Sequence, residues 1–206
     1  MKGMTWKEAS PDGLPEPLAE HTALLGWGEA LSLALDWRPG IRISGGAMRT
    51  IRQHIDHRPV EVGGLLLGSA LAWPGSGCRQ RYPYATCVSL AIPAKQSSDS
   101  PVSLTMEASV WDEARRIAPE LRVVGWFHSH PNLGAFFSAT DRFTQRHFFR
   151  LPHQIGLVID PFREEMACFA GPDSEEVATS IEEPTHHPKG HPRFAIPVEN
   201  VKQSFP

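Results

Sequence analysis

Two histidines, His128 and His130, follow an apolar run and precede Pro131. Side chains alternate across a strand, so both imidazoles point to the same side, as two ligands of one metal ion must. Ser138 and Asp141 follow a short loop, and Asp141 lies one turn into a predicted helix, from which its carboxylate can face the histidines. Two histidines and one carboxylate leave the fourth zinc position for water, which is typical of a catalytic zinc site.

Each part of this pattern also has a purely structural explanation. Ser138 followed three residues later by an acidic residue is a capping pattern that starts a helix, and it alone accounts for Ser138 and Asp141. A His-x-His pair at a strand end also arises by chance. It is the combination, at this spacing and beside Pro131, that indicates a metal site.

A hydrolytic zinc site also needs a base, commonly a carboxylate that does not bind the metal. Glu61 is the candidate, at the start of an apolar stretch that contains Gly64, Leu66 and Gly68. A carboxylate in such a stretch is unfavourable unless it ends in solvent or in a cleft. From the residues alone, an exposed position at a strand edge is the simpler interpretation of Glu61.

These segments resemble the JAMM/MPN-plus metallopeptidases, whose motif is E-x-x-G-x-L-x-G followed by H-x-H-P-x6-S-x-x-D. Every motif position is filled between Glu61 and Asp141, and the likeness covers about residues 41–170. The resemblance implies an α/β (α+β) sandwich, in which helices flank a mixed sheet, similar to the fold of cytidine deaminase. Catalytically inactive relatives lack motif residues, and none is missing here.

The resemblance also implies a role for each motif residue. One Zn²⁺ ion would be held by His128, His130 and Asp141. Glu61 would take a proton from the zinc's water and pass it to the leaving amine. Ser138 would donate a hydrogen bond to the developing oxyanion.

The substrate class likewise follows from the resemblance. Members of this family cleave after the Gly-Gly tail of ubiquitin or of a ubiquitin-like protein, so we expect such a protein or its conjugates as substrate and E1- or E2-like enzymes in the same pathway. The chain resembles stand-alone prokaryotic members, some of which are encoded beside ubiquitin-activating-like enzymes, including in antiviral defence systems. Two alternatives stay open: a processing peptidase for a sulfur-carrier protein, and a non-catalytic scaffold that binds no zinc.

A thin, extended tail suits a narrow groove beside a strand edge. We expect residues 94–104 to supply that edge and residues 132–137 to form the opposite wall. Phe136 and Phe137 in the second segment either contact the substrate or belong to the core. Ser129 is expected to shape the loop and to have no chemical role.

The elements that position these residues follow from hydrophobic periodicity and from helix breakers. Ser44 caps a helix with Met48, Ile51 and Ile55 on one face. A second helix is expected to carry Met106, Val110, Ala114, Ile117 and Ala118 on one side. The predicted strands are 41–44, 60–73, 81–93, 121–127, 155–160 and 165–170, and the predicted helices are 44–57, 106–118 and 139–149.

The length of 206 residues fits one domain with extended ends. We predict an N-terminal extension over residues 1–40, a metallopeptidase domain over 41–172 and a Pro- and His-rich tail over 173–206. An apolar segment, 22–37, is expected to pack against this domain or against a partner.

Charge and composition argue against several other classes of protein. A net charge of -3 gives no basic face for nucleic acid or for an anionic membrane. No apolar run reaches the roughly eighteen residues of a membrane helix, and the N-terminus does not resemble a signal peptide. The three cysteines, Cys78, Cys87 and Cys168, form no C-x-x-C pair and are expected to be free thiols, which favours the cytoplasm. The oligomeric state does not follow from the sequence.

Overall fold

A computed structural model describes residues 16–17, 40–72, 84–94 and 108–181 of the chain. Several predictions lie outside these residues: the apolar segment 22–37, the turn between the second and third predicted strands, the strand edge around 102–104 and the tail beyond 181. Within the described residues, no helix has the length and apolar character needed to cross a membrane.

The described strands are β1 Glu16–Pro17, β2 Gly40–Ile43, β3 Gly63–Ala72, β4 Tyr84–Pro93, β5 Arg122–Ser129, β6 Ile155–Asp160, β7 Glu165–Ala170, β8 Glu175–Val177 and β9 Thr179–Ile181. They form one mixed sheet in the order β8-β7-β6-β5-β3-β4-β2-β9, with β1 paired to β3. The helices are α1 Gly45–Ile55, α2 Ala108–Ile117 and α3 Ala139–Phe148.

The sheet is buried on both faces, as its apolar strands require. Leu66 on β3 packs in the cluster that contains the buried face of α1. Its neighbours Leu65 and Leu67 face the opposite cluster, which contains α2 and the aromatic residues next to α3. The predicted α/β sandwich, a mixed sheet with flanking helices, is therefore confirmed.

Helix α1 begins as predicted. Ser44 accepts a hydrogen bond from the backbone N–H of Ala47 at 3.1 Å, and Met48, Ile51 and Ile55 are buried. In helix α2, one prediction was wrong. Val110, Ala114 and Ala118 are buried, four residues apart, but Ile117 is 45% exposed because it lies beside this stripe at the last residue of the helix.

The sheet continues past the predicted end of the domain. Residues 173–206 were expected to form a tail, but β8 pairs with β7, and β9 lies parallel to β2, with Ile41 opposite Thr179. The polar composition of this segment hid both strands, because each is only three residues long and lies at an outer position of the sheet.

The centre of the sheet positions the motif residues. β5 lies between β3, to which it is antiparallel, and β6, to which it is parallel. On β3, a side chain at Gly64 would collide with the backbone of Ile92, and one at Gly68 with the backbone of Cys87. These two motif glycines therefore allow β3 and β4 to approach closely.

Candidate metal centre

His128 lies near the carboxyl end of β5, and His130 directly follows the last residue of that strand. Both side chains face the same side, as the alternation of a strand predicts. Their Nε2 atoms are 3.1 Å apart. The side chains are 1% and 3% exposed, so both imidazoles are enclosed by protein. His130 is held further by its Nδ1 atom, which lies 3.2 Å from the carbonyl oxygen of Gly134.

Asp141 reaches both histidines from the first turn of α3. Its Oδ1 lies 3.2 Å from Nε2 of His128, and its Oδ2 lies 3.4 Å from Nε2 of His130. The same residue completes a capping box with Ser138: the N–H of Ser138 donates to Oδ2 at 2.7 Å, and the N–H of Asp141 donates to the Ser138 hydroxyl at 3.2 Å. The capping role and the position beside the histidines therefore coexist, and the cap aims the carboxylate.

Burial and mutual contact set the charges of these groups. Burial raises the pKa of Asp141, but contacts with His128 and His130, together with Ser138, lower it by more, so the pKa lies well below its usual range. Burial lowers the pKa of His128, and Asp141 offsets this only in part. Burial also lowers the pKa of His130, but Asp141, Glu61 and a backbone hydrogen bond raise it by more. An ionised carboxylate beside a neutral imidazole is a ready ligand pair, and a cation would displace a proton from His130.

These donor atoms fit a zinc ion. One ligand atom from each of His128, His130 and Asp141 lies within 4.8 Å of the others, and no other such group occurs among the described residues. Tetrahedral zinc, with bonds of about 2.0 to 2.2 Å, separates its ligand atoms by about 3.4 Å. The two Nε2 atoms are 3.1 Å apart, and each lies 3.2 or 3.4 Å from a different oxygen of Asp141, so all three separations are close to this value. Imidazole nitrogen and carboxylate oxygen are also donors that zinc accepts.

Glu61 joins this cluster through the pairing of β3 with β5. The ladder pairs Gly63 with His128, and the same register continued by two residues places Glu61 opposite His130. Opposed residues of an antiparallel pair lie on one face. Oε1 of Glu61 lies 3.9 Å from Nε2 of His130, and the glutamate side chain is 15% exposed. The simpler interpretation from the residues alone, an exposed position at a strand edge, does not agree with this partial burial.

The environment of Glu61 suits a proton acceptor. Burial raises the pKa of the Glu61 carboxyl, the positive charge of His130 lowers it and the negative charge of Asp141 raises it, so that the pKa lies above its usual value. A higher pKa makes a carboxylate a stronger base.

An aromatic layer that the sequence analysis missed supports His128. The ring of Trp126 stacks on the His128 ring with centroids 4.5 Å apart and planes 6° apart. Its Nε1 donates to Oε1 of Gln145 on α3 at 2.8 Å, and this bond fixes the indole. Side chains alternate along a strand, so Trp126, two residues before His128, lies on the same side of β5. The sequence therefore contained the information needed to predict this contact.

The two phenylalanines of the metal loop, which we define as residues 131–137, differ in burial. Phe137 is buried, and it stacks on Phe169 with centroids 4.1 Å apart. Phe136 is 48% exposed, and its ring lies 5.0 Å from that of His130. Phe137 therefore belongs to the core, and Phe136 is the one that borders the open side of the cluster.

Comparison with known proteins relates this chain to one family. A family model described as prokaryotic homologs of the JAB domain matches residues 46–171. The 26S proteasome regulatory subunit RPN11 of Eremothecium gossypii is 31% identical over 108 residues, which cover 51% of this chain and 32% of the relative. Ubiquitin carboxyl-terminal hydrolase RPN11 of Saccharomyces cerevisiae is 30% identical over 108 residues, 51% of this chain and 33% of the relative. The chain thus spans about a third of the length of these relatives.

Among solved structures, protein DSY2949 from Desulfitobacterium hafniense superposes with a TM-score of 0.53. The match covers 71% of this chain and 96% of that protein, at 23% sequence identity. This likeness concerns the fold.

Proposed function

The chain belongs to the family of prokaryotic homologs of the JAB domain, and from this premise we propose that it is a zinc-dependent peptidase or isopeptidase that cleaves after the Gly-Gly tail of a ubiquitin-like protein. One observation carries the proposal. Glu61, two residues before β3, comes within 3.9 Å of a buried cluster formed by His128, His130 and Asp141. Enclosing two carboxylates with two imidazoles removes charged groups from water at a cost in free energy. Clusters of this kind are typical of functional sites.

In the proposed reaction, each residue of the site has a separate role. Zinc, when bound by His128, His130 and Asp141, supplies a Lewis acid and lowers the pKa of water to about 7. Glu61 then accepts a proton from the attacking water and delivers it to the leaving nitrogen. Ser138 accepts the cap hydrogen bond through a lone pair, so its own O–H remains to donate to the substrate carbonyl oxygen as negative charge develops there.

The proposed substrate class rests on two observations. One relative carries the name ubiquitin carboxyl-terminal hydrolase. In this chain, the exposed ring of Phe136 borders the cluster on the His130 side, where it would contact an extended peptide next to the scissile bond. A tail that ends in two glycines has no side chains there, so it would suit a narrow groove beside this ring.

A matched pair of substrates tests the proposal. One is a linear fusion in which a Gly-Gly tail is followed by a short extension, and the other is the same ubiquitin-like protein joined to a lysine. The full chain is loaded with one equivalent of zinc, and a chelator is then added to half of each reaction. We expect cleavage after the second glycine, loss of cleavage with the chelator and recovery on return of zinc.

Glu61→Gln is the companion variant, because it keeps the shape of the side chain and removes the base. We expect it to bind one zinc per chain and to lower kcat by roughly 10²- to 10⁴-fold. Cleavage that persists in the chelator, or in Glu61→Gln at the original rate, would contradict the mechanism. Release of a short peptide from the linear fusion alone would favour maturation of a carrier protein, and absence of zinc from the untreated protein would favour a scaffold.

A further inference from the structure

Asp160, the last residue of β6, has no exposed surface. Its carboxylate accepts four backbone hydrogen bonds. Two come from the adjoining turn, from Phe162 at 2.9 Å and Arg163 at 3.2 Å, and they form an ordinary aspartate turn. The other two reach across the structure to the metal loop: Oδ1 accepts from Asn132 at 3.1 Å, and Oδ2 accepts from Gly134 at 2.7 Å.

The bond to Gly134 connects Asp160 with a proposed zinc ligand. While the N–H of Gly134 donates to Asp160, its carbonyl oxygen lies 3.2 Å from Nδ1 of His130. A carbonyl oxygen can only accept, so this hydrogen bond requires the proton of His130 to be on Nδ1. The lone pair of the neutral ring is then on Nε2, the atom that faces His128 and Asp141.

The metal loop needs such an anchor because its backbone is strained. Asn132 has φ 61° and Gly134 has φ 96°, both in the left-handed region. Only glycine adopts that region freely, and asparagine does so at some cost. A buried carboxylate is itself unfavourable unless it is hydrogen-bonded, and four N–H groups with the guanidinium of Arg163 at 3.7 Å satisfy Asp160. The strained loop and the buried charge therefore stabilise each other.

We propose that Asp160 is a positioning residue of the metal centre: it holds Gly134 so that the carbonyl of that residue keeps His130 in the tautomer and orientation that bind the metal through Nε2. This inference rests on the proposed function in one respect, namely that the cluster holds zinc. Such outer contacts typically change metal affinity by about 10- to 100-fold.

Asp160→Asn is the decisive variant, because it keeps the shape of the side chain. The asparagine carbonyl can still accept the three bonds now made by Oδ1, so the turn at Phe162 and Arg163 is retained. The amide nitrogen then takes the place of Oδ2 and faces the N–H of Gly134, so two donors meet where the wild type has a hydrogen bond of 2.7 Å. The variant thus breaks the link to His130 while it spares the turn.

Glu165→Gln serves as the matched control. Oε2 of Glu165 accepts from the N–H of Ala135 in the same loop at 3.3 Å, and not from Gly134, whose carbonyl contacts His130. A glutamine can still accept this bond. Zinc dissociation constants are measured by competition with a chromophoric chelator, and the visible spectrum of the cobalt-substituted protein reports ligand geometry. We expect Asp160→Asn to bind zinc about 10- to 100-fold more weakly, with an altered cobalt spectrum, and Glu165→Gln to match the wild type.

The wild-type protein provides a second measurement that does not depend on the folding of any variant. Nitrogen-15 NMR of the zinc-loaded protein should show His130 protonated at Nδ1 and bonded to zinc through Nε2. Coordination through Nδ1 would overturn the inference, and so would a folded Asp160→Asn protein with wild-type zinc affinity. If the wild type binds no zinc, the proposed function and this inference fail together, whereas the other two results leave the proposed function intact.

Discussion

The hydroxyl of Ser129 accepts a hydrogen bond from the backbone N–H of Val62 at 3.0 Å. The N–H of Ser129 in turn donates to the Val62 carbonyl at 2.8 Å. The residue between the two histidines thus fixes the residue that follows Glu61, and all of these contacts are buried. Ser129, which we expected only to shape the loop, connects the proposed base to the strand that carries the proposed ligands.

Ser129→Ala should separate catalysis from metal binding. Loss of the hydroxyl leaves the Val62 N–H without its partner and loosens Glu61, so we expect kcat to fall by roughly 10- to 100-fold while zinc affinity stays within about twofold of the wild type. Ser129→Thr, which keeps a hydroxyl, should recover part of kcat. Steady-state kinetics and zinc titration on the same preparations check this, and a fall in zinc affinity parallel to kcat would contradict it.

Ser138 is predicted to have two separable roles. Ser138→Ala removes the helix cap and the O–H donor, so it should cost about 0.5 to 2 kcal/mol of unfolding free energy and about 10² to 10³ in kcat. Ser138→Asn keeps a cap acceptor but places no hydroxyl there, so it should retain most of the stability and remain deficient in kcat. Urea unfolding paired with kinetics distinguishes the two effects. Equal kcat for the asparagine variant and the wild type would rule out the oxyanion role.

Gly156→Ala should disturb the metal centre through its aromatic support. A Cβ at this position would collide with the Phe137 ring and lie 2.9 Å from Nε1 of Trp126, so we expect a loss of about 1 to 3 kcal/mol in unfolding free energy. Because Trp126 stacks on His128, zinc affinity should fall as well.

Gly46→Ala is the control. Gly46 lies in α1, where an added Cβ would have only the Ser44 hydroxyl nearby, at 3.9 Å. The substitution should stabilise the protein by up to about 1 kcal/mol. A Gly156→Ala protein as stable as the wild type would contradict the packing argument.

Stability at acid pH should depend on His153, which is not a motif residue. Burial, with the nearby charge of Arg122, lowers the pKa of His153 from 6.5 to about 4. Since the folded-state pKa is the lower one, the unfolded chain binds more protons between pH 6.5 and 4, and stability falls as the pH decreases through this range. The loss should be about 3 kcal/mol greater in the wild type than in His153→Gln. Urea unfolding of the metal-free proteins at several pH values checks this, and parallel pH profiles would contradict it.

The local part of the site was predictable from the sequence, and the long-range part was not. Alternation on one strand gave the shared direction of His128 and His130, and one helical turn gave the position of Asp141. The approach of Glu61 depends on the pairing of Gly63 with His128, which no local pattern encodes, so only the family resemblance indicated it. Asp160 was overlooked for the same reason, because two of its partners lie in a loop 26 and 28 residues away.

Local patterns also left the choice between Phe136 and Phe137 open, and packing resolved it. Both are aromatic residues in one loop, and the sequence does not say which one Phe169 meets. The short strands β8 and β9 were missed because pairing with existing strands, and not their own propensity, makes them extended.

The parallel pairing of β9 with β2 has a practical consequence. Strand β2 has β4 on one side, and on its other side β9 covers it from Ile41 to Ile43. A chain truncated before residue 179 would leave that row of N–H and C=O groups unpaired, and an uncovered strand edge recruits strands from other molecules. Strand β9 keeps this edge of β2 covered, so its removal should make the protein prone to self-associate and precipitate.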